Sequence, residues 1–390
     1  MNEHQQLTPQ LHGVDEELPQ RITNDELYRR STQYRYWSFT QDELTDLRVR
    51  VNKKGEQTFR DKINSLQDDD EIHREIKKFV SEQFTPLTPS DELEIVIYYA
   101  RKCHDLSNFF KFTTQVRLTA VSYLLKFYLV HSVMEYYPQQ IMYTCLFLAA
   151  KSENNFLGIK AFSNAIPKTT PASILEHEYR VLDTMRFSLM CHHAMRPLYG
   201  FYLDVQQVLV KLDFGRLCKD YENGRRCVND SSFSDAQFLF TPSQIALAAL
   251  YIVDDVVCMR YLMRKFGVKK KQMVAMMEER ERVKESSMEP DKTEENGDLT
   301  TQTDSSLDRF NKVMECVKRC AVIMQKTPDP TVQTAKEISL KAHFCLDPVK
   351  YFRKLQSATN NVSPVPETGV KRELTDVDGG EEDAKRVKLN

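Results

Sequence analysis

Pro138-Gln139-Gln140-Ile141 opens a run that continues through Cys145-Leu146-Phe147-Leu148-Ala149-Ala150 and ends at Lys151. One hundred and four residues later, Pro242-Ser243-Gln244-Ile245 opens a second run, Ala246-Leu247-Ala248-Ala249-Leu250-Tyr251-Ile252. Proline suits the first helical position, where its missing N–H costs nothing and its fixed φ matches the helix. Both runs are almost free of polar residues for three turns, and a helix apolar on nearly every face must be surrounded by other helices. The chain therefore reads as all-α, with two related helical domains, each wrapped around one central helix. A period this long marks a duplicated domain rather than a solenoid.

Working outward, 390 residues exceed one typical core and suggest two domains plus tails. Only 11 glycines are present, which disfavours phosphate-cradling loops, and a formal net charge of −2 is not that of a chain built to coat nucleic acid. The 9 cysteines are scattered, begin at Cys103 and include no Cys-x-x-Cys, so reduced, mostly buried thiols are expected. Cys316 and Cys320 share a helical face, but no further ligands accompany them, so neither a metal nor another cofactor is expected. The first twenty residues lack the apolar core of a signal peptide, and no run of about 18 apolar residues exists to span a membrane. Gly-rich nucleotide motifs, HExxH, GxSxG and a kinase catalytic loop are all missing. His192-His193 are adjacent and on a helix would not face one site. No catalytic residue is assigned.

Residues 1–24 read as a disordered tail and 25–89 as an N-terminal helical extension. Within the extension, Thr40 with Glu43 forms a capping box, and the charged stretch 52–70 reads as a solvated connection or extended helix. The first domain spans 90–190: a helix capped at Ser90, one at about 114–130, the apolar helix from Pro138, a short one at 159–166 and a fifth from Pro171 through Met185. The second spans 191–327, with helices near 195–211, from 214 to 223 or beyond, from Pro242, and at 305–326. Its stretch 266–304 loses its apolar face and reads as a charged, disordered insertion. A C-terminal helical segment covers 328–356, and 357–390 reads as a disordered tail.

Several segments agree in order and spacing with one family. Leu148-Ala149-Ala150-Lys151-Ser152-Glu153, Glu176-His177-Glu178-Tyr179-Arg180-Val181-Leu182, Met185-Arg186-Phe187, Ser31 to Phe39, and Tyr128 to Tyr136 resemble the cyclin box, and more specifically the cyclin H branch in its fungal form. The resemblance implies two tandem five-helix boxes with flanking helices. It also implies that Lys151 and Glu178 grip the backbone around the regulatory helix of a protein kinase. Leu148, Leu182, Phe187 and Leu189 match the family's apolar pocket for that helix, a helix-in-groove mode. Read without the family, Lys151–Glu178 is a structural ion pair at a helix end. Many cyclins carry two acids soon after the lysine; here only Glu153 is acidic.

The N-terminal segment Tyr34, Arg35, Tyr36 and Trp37 is a candidate second interface, because aromatics and arginine dominate hot spots. The C-terminal Lys385, Arg386 and Lys388 resemble a Myc-type nuclear import signal, which implies an import receptor and the nucleus. The implied partners are a cyclin-dependent kinase catalytic subunit, a RING-finger assembly factor and the core of the general transcription and repair factor. The chain would then be a regulator of RNA polymerase II tail phosphorylation, not an enzyme, with no direct nucleic-acid contact and no membrane. Two rivals are weighed: a IIB-type promoter-binding factor, which would need a zinc ribbon and basic domains, and a passive helical scaffold, which would not need Lys151 and Glu178 at family spacing.

Overall fold

The computed structural model describes residues 28–67, 70–210, 212–268 and 306–360, with side chains to Lys354. Among these residues every regular element is helical. The extension comprises α1 (Thr32–Trp37), α2 (Gln41–Asn64) and α3 (Glu71–Glu82). Thr40 and Glu43 make the expected reciprocal cap, at 2.8 and 3.3 Å. Helix α2 runs on to Asn64, so residues 52–64 form an extended helix rather than a connection, burying Asn52, Gly55, Phe59 and Ile63 on one face.

The first box holds α4 (Pro89–Phe109), α5 (Thr114–Phe127), α6 (Pro138–Ser152), α7 (Ile159–Asn164), α8 (Pro171–Leu175) and α9 (Glu178–Thr184). Helix α6 is the buried centre, with Thr144 through Ala150 all buried. Thr88, not Ser90, caps α4: its hydroxyl accepts from the Asp91 N–H at 3.2 Å, and Asp91 returns the bond at 2.9 Å. The fifth helix is two helices. The Thr144 hydroxyl of α6 donates to the Ile174 carbonyl at 2.8 Å, the acceptor that a continuous helix would offer to the Glu178 N–H.

The second box holds α10 (Met195–Val208), α11 (Phe214–Ser231), α12 (Ala236–Leu239), α13 (Pro242–Val253), α14 (Asp255–Phe266) and α15 (Ser306–Gln325). The central α13 is capped by a Thr241–Gln244 box. It stops at the buried Asp254, whose carboxylate accepts from the Val257 N–H at 2.9 Å and from Arg216 at 2.5 Å. Helix α14, which begins there, has no counterpart in the sequence reading.

The final helices, α16 (Val332–Leu346) and α17 (Pro348–Asn360), leave the second box and pack on the first and on its N-terminal extension. Phe344 meets Phe59, Phe79 and Phe84 at ring distances of 5.8, 5.5 and 4.7 Å, and Phe352 meets Phe79 at 5.6 Å. Tyr137 donates to Ser339 at 3.1 Å. The two boxes are joined at α12. Phe233 and Phe238 enter the core of the first box, the Phe39 N–H donates to the Phe238 carbonyl at 2.9 Å, and Arg48 forks onto Asp235 at 2.8 and 2.5 Å. The N-terminal tail, the C-terminal tail beyond Asn360 and the insertion beyond Val268 lie outside the described residues.

Candidate functional site

Lys151 is in the last turn of α6 and Glu178 in the first turn of α9, so each charge suits its helix terminus. The two form an ion pair, and the Lys151 ammonium lies 5.0 Å from the Phe147 ring centroid. The lysine side chain is 39% exposed. Solvent screening limits such a pair to about 1 kcal/mol or less of stability, so its charge remains available to something arriving from outside.

Directly after α9 the chain turns sharply. Arg186 and Phe187 both adopt left-handed backbone angles, φ 52° and 54°, a conformation that costs a non-glycine residue roughly 1–2 kcal/mol. Bonds from the N–H groups of Arg186, Phe187 and Ser188 to the carbonyls of Asp183, Leu182 and Met185, at 2.8, 2.9 and 3.0 Å, hold the turn. The turn pushes Phe187 into solvent, where it is 62% exposed. Tyr179, 70% exposed, stands beside it with ring centroids 6.2 Å apart. Phe156, in the loop after Lys151, and Leu175 and Met190 are exposed as well. The exposed Tyr179–Phe187 ring pair, next in chain to Glu178, marks an interaction surface better than a single exposed residue does.

The expected pocket residues separate by depth. Phe187 is outermost, Leu182 and Leu189 are half-buried against the first-box core, and Leu148 lies beneath them, 3% exposed. Glu153, the lone acid after Lys151, is engaged internally: it accepts from the Thr119 hydroxyl at 2.7 Å, whose oxygen faces His193 Nε2 at 2.8 Å. Burial, with the nearby Lys126 charge, pulls the His193 imidazole down to about 3, so it is neutral at pH 7.

The N-terminal segment divides in the same way. Tyr34, Arg35 and Tyr36 face solvent, whereas Trp37 is buried with its ring 5.6 Å from the Lys126 ammonium. Arg186 stacks over Tyr36 at 4.5 Å, which brings α1 beside the Phe187 turn. Gln33, not singled out in the sequence, clasps the backbone of His192: its Oε1 accepts from the N–H at 2.6 Å and its Nε2 donates to the carbonyl at 3.2 Å. Tyr179, Phe156 and Arg186 were also not singled out; for Tyr179 the available signal was an aromatic residue set off the buried stripe of its helix. Lys385, Arg386 and Lys388 lie outside the described residues. No described helix is long and apolar enough to cross a membrane, and no group of His, Cys, Asp and Glu among the described residues is placed to hold a metal.

Two helical boxes, each closed on a buried central helix, with an ion-paired lysine at the end of the first, define a cyclin. The family described as cyclin, N-terminal domain matches residues 61–190, and the cyclin C-terminal domain family matches 193–325; the chain belongs to the cyclin family. Within it the chain falls in the cyclin H branch. It is 36% identical over 247 residues to Cyclin CCL1 of Saccharomyces cerevisiae, covering 63% of each protein, which is a little under two thirds of that relative's length. It is 33% identical over 233 residues to Cyclin-H of Xenopus laevis, covering 57% of this chain and 67% of that one. A chain in the structure of the yeast TFIIK (Kin28/Ccl1/Tfb3) complex superposes with a TM-score of 0.55 at 28% identity, covering 76% of this chain and all of that one.

Proposed function

We propose that this chain is the regulatory cyclin of a cyclin-dependent Ser/Thr kinase that phosphorylates the repeat tail of RNA polymerase II during transcription initiation, with a link to nucleotide excision repair through the same complex. The observation that carries the reading is the exposed Phe187–Tyr179 pair beside the Lys151–Glu178 ion pair, in a chain of the branch whose yeast relative is assembled with Kin28 and Tfb3. The catalytic subunit is the counterpart of Kin28, and a RING-finger assembly factor is the counterpart of Tfb3. The chain itself is regulatory, not catalytic.

The mechanism is a population shift. A kinase needs its regulatory helix and its Lys–Glu pair in place before ATP phosphates are aligned. A surface that binds only that helix-in state draws the kinase toward it. Moving the equilibrium from about 1:99 to 99:1 takes roughly 5.5 kcal/mol of differential affinity, within the reach of an aromatic surface gripping one helix. Nuclear residence follows from this role and from the basic C-terminus at Lys385, Arg386 and Lys388, read by an import receptor.

The test is co-expression with the kinase subunit from the same source. Wild type should co-purify with it and support phosphorylation of a polymerase-tail peptide. Lys151→Ala/Glu178→Ala should lose both while retaining its helical circular dichroism. A folded chain that captures promoter DNA and no kinase would overturn the reading.

A further inference from the structure

Lys126, at the end of α5, is a cation almost sealed from solvent, 3% exposed. Among the described residues the partners of its Nζ are not carboxylates: Cys191 Sγ lies 3.4 Å away and the Trp37 ring centroid 5.6 Å. Burying an amine this way is costly unless something compensates. Cys191 is itself 7% exposed and stands on the extended segment between the Phe187 turn and the second box, with Ser122 Oγ 3.8 Å from its sulfur. An amine nitrogen and an oxidisable sulfur from two separate elements thus face each other beneath an indole.

We propose that Lys126 and Cys191 are a covalent modification site, joined through one oxygen atom as Nζ–O–Sγ on exposure to dioxygen or peroxide. The amine gives up one N–H hydrogen and the thiol its S–H hydrogen. Dioxygen supplies the bridging oxygen, and its second oxygen leaves as water, taking both hydrogens. Nitrogen and sulfur together lose the four electrons that dioxygen gains. Starting from the ammonium, one further proton is released. With peroxide, two molecules replace the dioxygen and three waters leave. The 3.4 Å gap suits this product: an inserted oxygen spans most of it, whereas a direct S–N bond would have to halve it. The bridge ties α5 to a segment whose Leu189 carbonyl already accepts from Tyr123 of the same helix at 2.5 Å. Oxidation therefore pins the backbone that leads out of the Phe187 turn.

The full chain is treated with hydrogen peroxide at neutral pH, digested with trypsin without reductant and analysed by mass spectrometry. The expected product is a linked pair carrying Lys126 and Cys191, about 14 Da heavier than the two peptides together, from one oxygen gained and two hydrogens lost. It should show no cleavage after Lys126, revert to separate peptides with dithiothreitol, and vanish in Cys191→Ser and in Lys126→Arg. Exposed Cys218 reports that the oxidant acted. Recovery of Cys191 as a free thiol, as a sulfinic or sulfonic acid, or in a disulfide, while Cys218 is oxidised, would overturn the proposal. The linked mass in wild type decides the matter even if Lys126→Arg fails to fold.

Discussion

Replacing Phe187 with alanine should sharply weaken kinase capture and leave the fold intact. A phenylalanine side chain offers roughly 150–250 Å², and Phe187 is 62% exposed. About 90–155 Å² is therefore left for a partner to cover, which at ~25 cal/mol per Å² corresponds to about 2–4 kcal/mol. In affinity that is a loss of about 30- to 800-fold. Alanine keeps the β-carbon, so the left-handed φ of 54° carries much the same strain before and after. The stability midpoint should accordingly move little. Lys151→Ala removes a screened, 39% exposed charge and should weaken capture less than Phe187→Ala does. The assay is titration calorimetry with the purified kinase subunit, paired with thermal unfolding of the free cyclin. Unchanged affinity for Phe187→Ala would refute the argument that this turn presents an anchor. A large drop in the unfolding midpoint would refute the claim that Phe187 is outside the core.

Arg48→Ala should cost about 1.5–3 kcal/mol, because it strips a forked, half-buried partner from Asp235 at the joint between the boxes; a double-mutant cycle with Asp235→Ala in urea should show strong coupling. Gly55→Ala should destabilise despite alanine's better helix propensity, since its β-carbon would lie 2.3 Å from Ser132 Oγ and 2.4 Å from Ser132 Cβ. Forced overpacking of about 1–3 kcal/mol outweighs a gain of about 1 kcal/mol, and denaturant melts give the sign. His193 is neutral when folded, with a value of about 3 against an ordinary 6.5. The unfolded chain therefore binds the extra proton between those values. Stability should fall as pH drops through this window, by up to about 1.4 kcal/mol per pH unit from this one group. His193→Gln should flatten that slope relative to wild type in melts between pH 7 and 4.

What could be read from the sequence was local. The Thr40–Glu43 box and the apolar runs after Pro138 and Pro242 need no information beyond their neighbours, and the helices form where those signals stand. The break at Glu176-His177 depends on Thr144, thirty residues away, taking the Ile174 carbonyl, so periodicity along one helix had nothing to report. The Arg48–Asp235 fork joins residues 187 apart. Gln33 reaches the His192 backbone across 159. At the candidate site, the family pattern named residues but said nothing of their depth. Leu148 and Phe187 look alike as apolar letters; only the left-handed turn after α9 separates the buried one from the one that faces outward.

The docking of α16 and α17 onto the first box has a consequence for how the chain is made. The rings of Phe59, Phe79 and Phe84 emerge from the ribosome before the second box, but their cover, Phe344 and Phe352, emerges only after it. Throughout translation of the second box, the N-terminal extension carries an uncovered aromatic patch of the kind that holding chaperones recognise and that drives nascent chains to aggregate. A nonsense codon anywhere between the boxes and Phe344 would leave that patch permanently bare. Such a product should be cleared by quality control instead of persisting as a working half-protein.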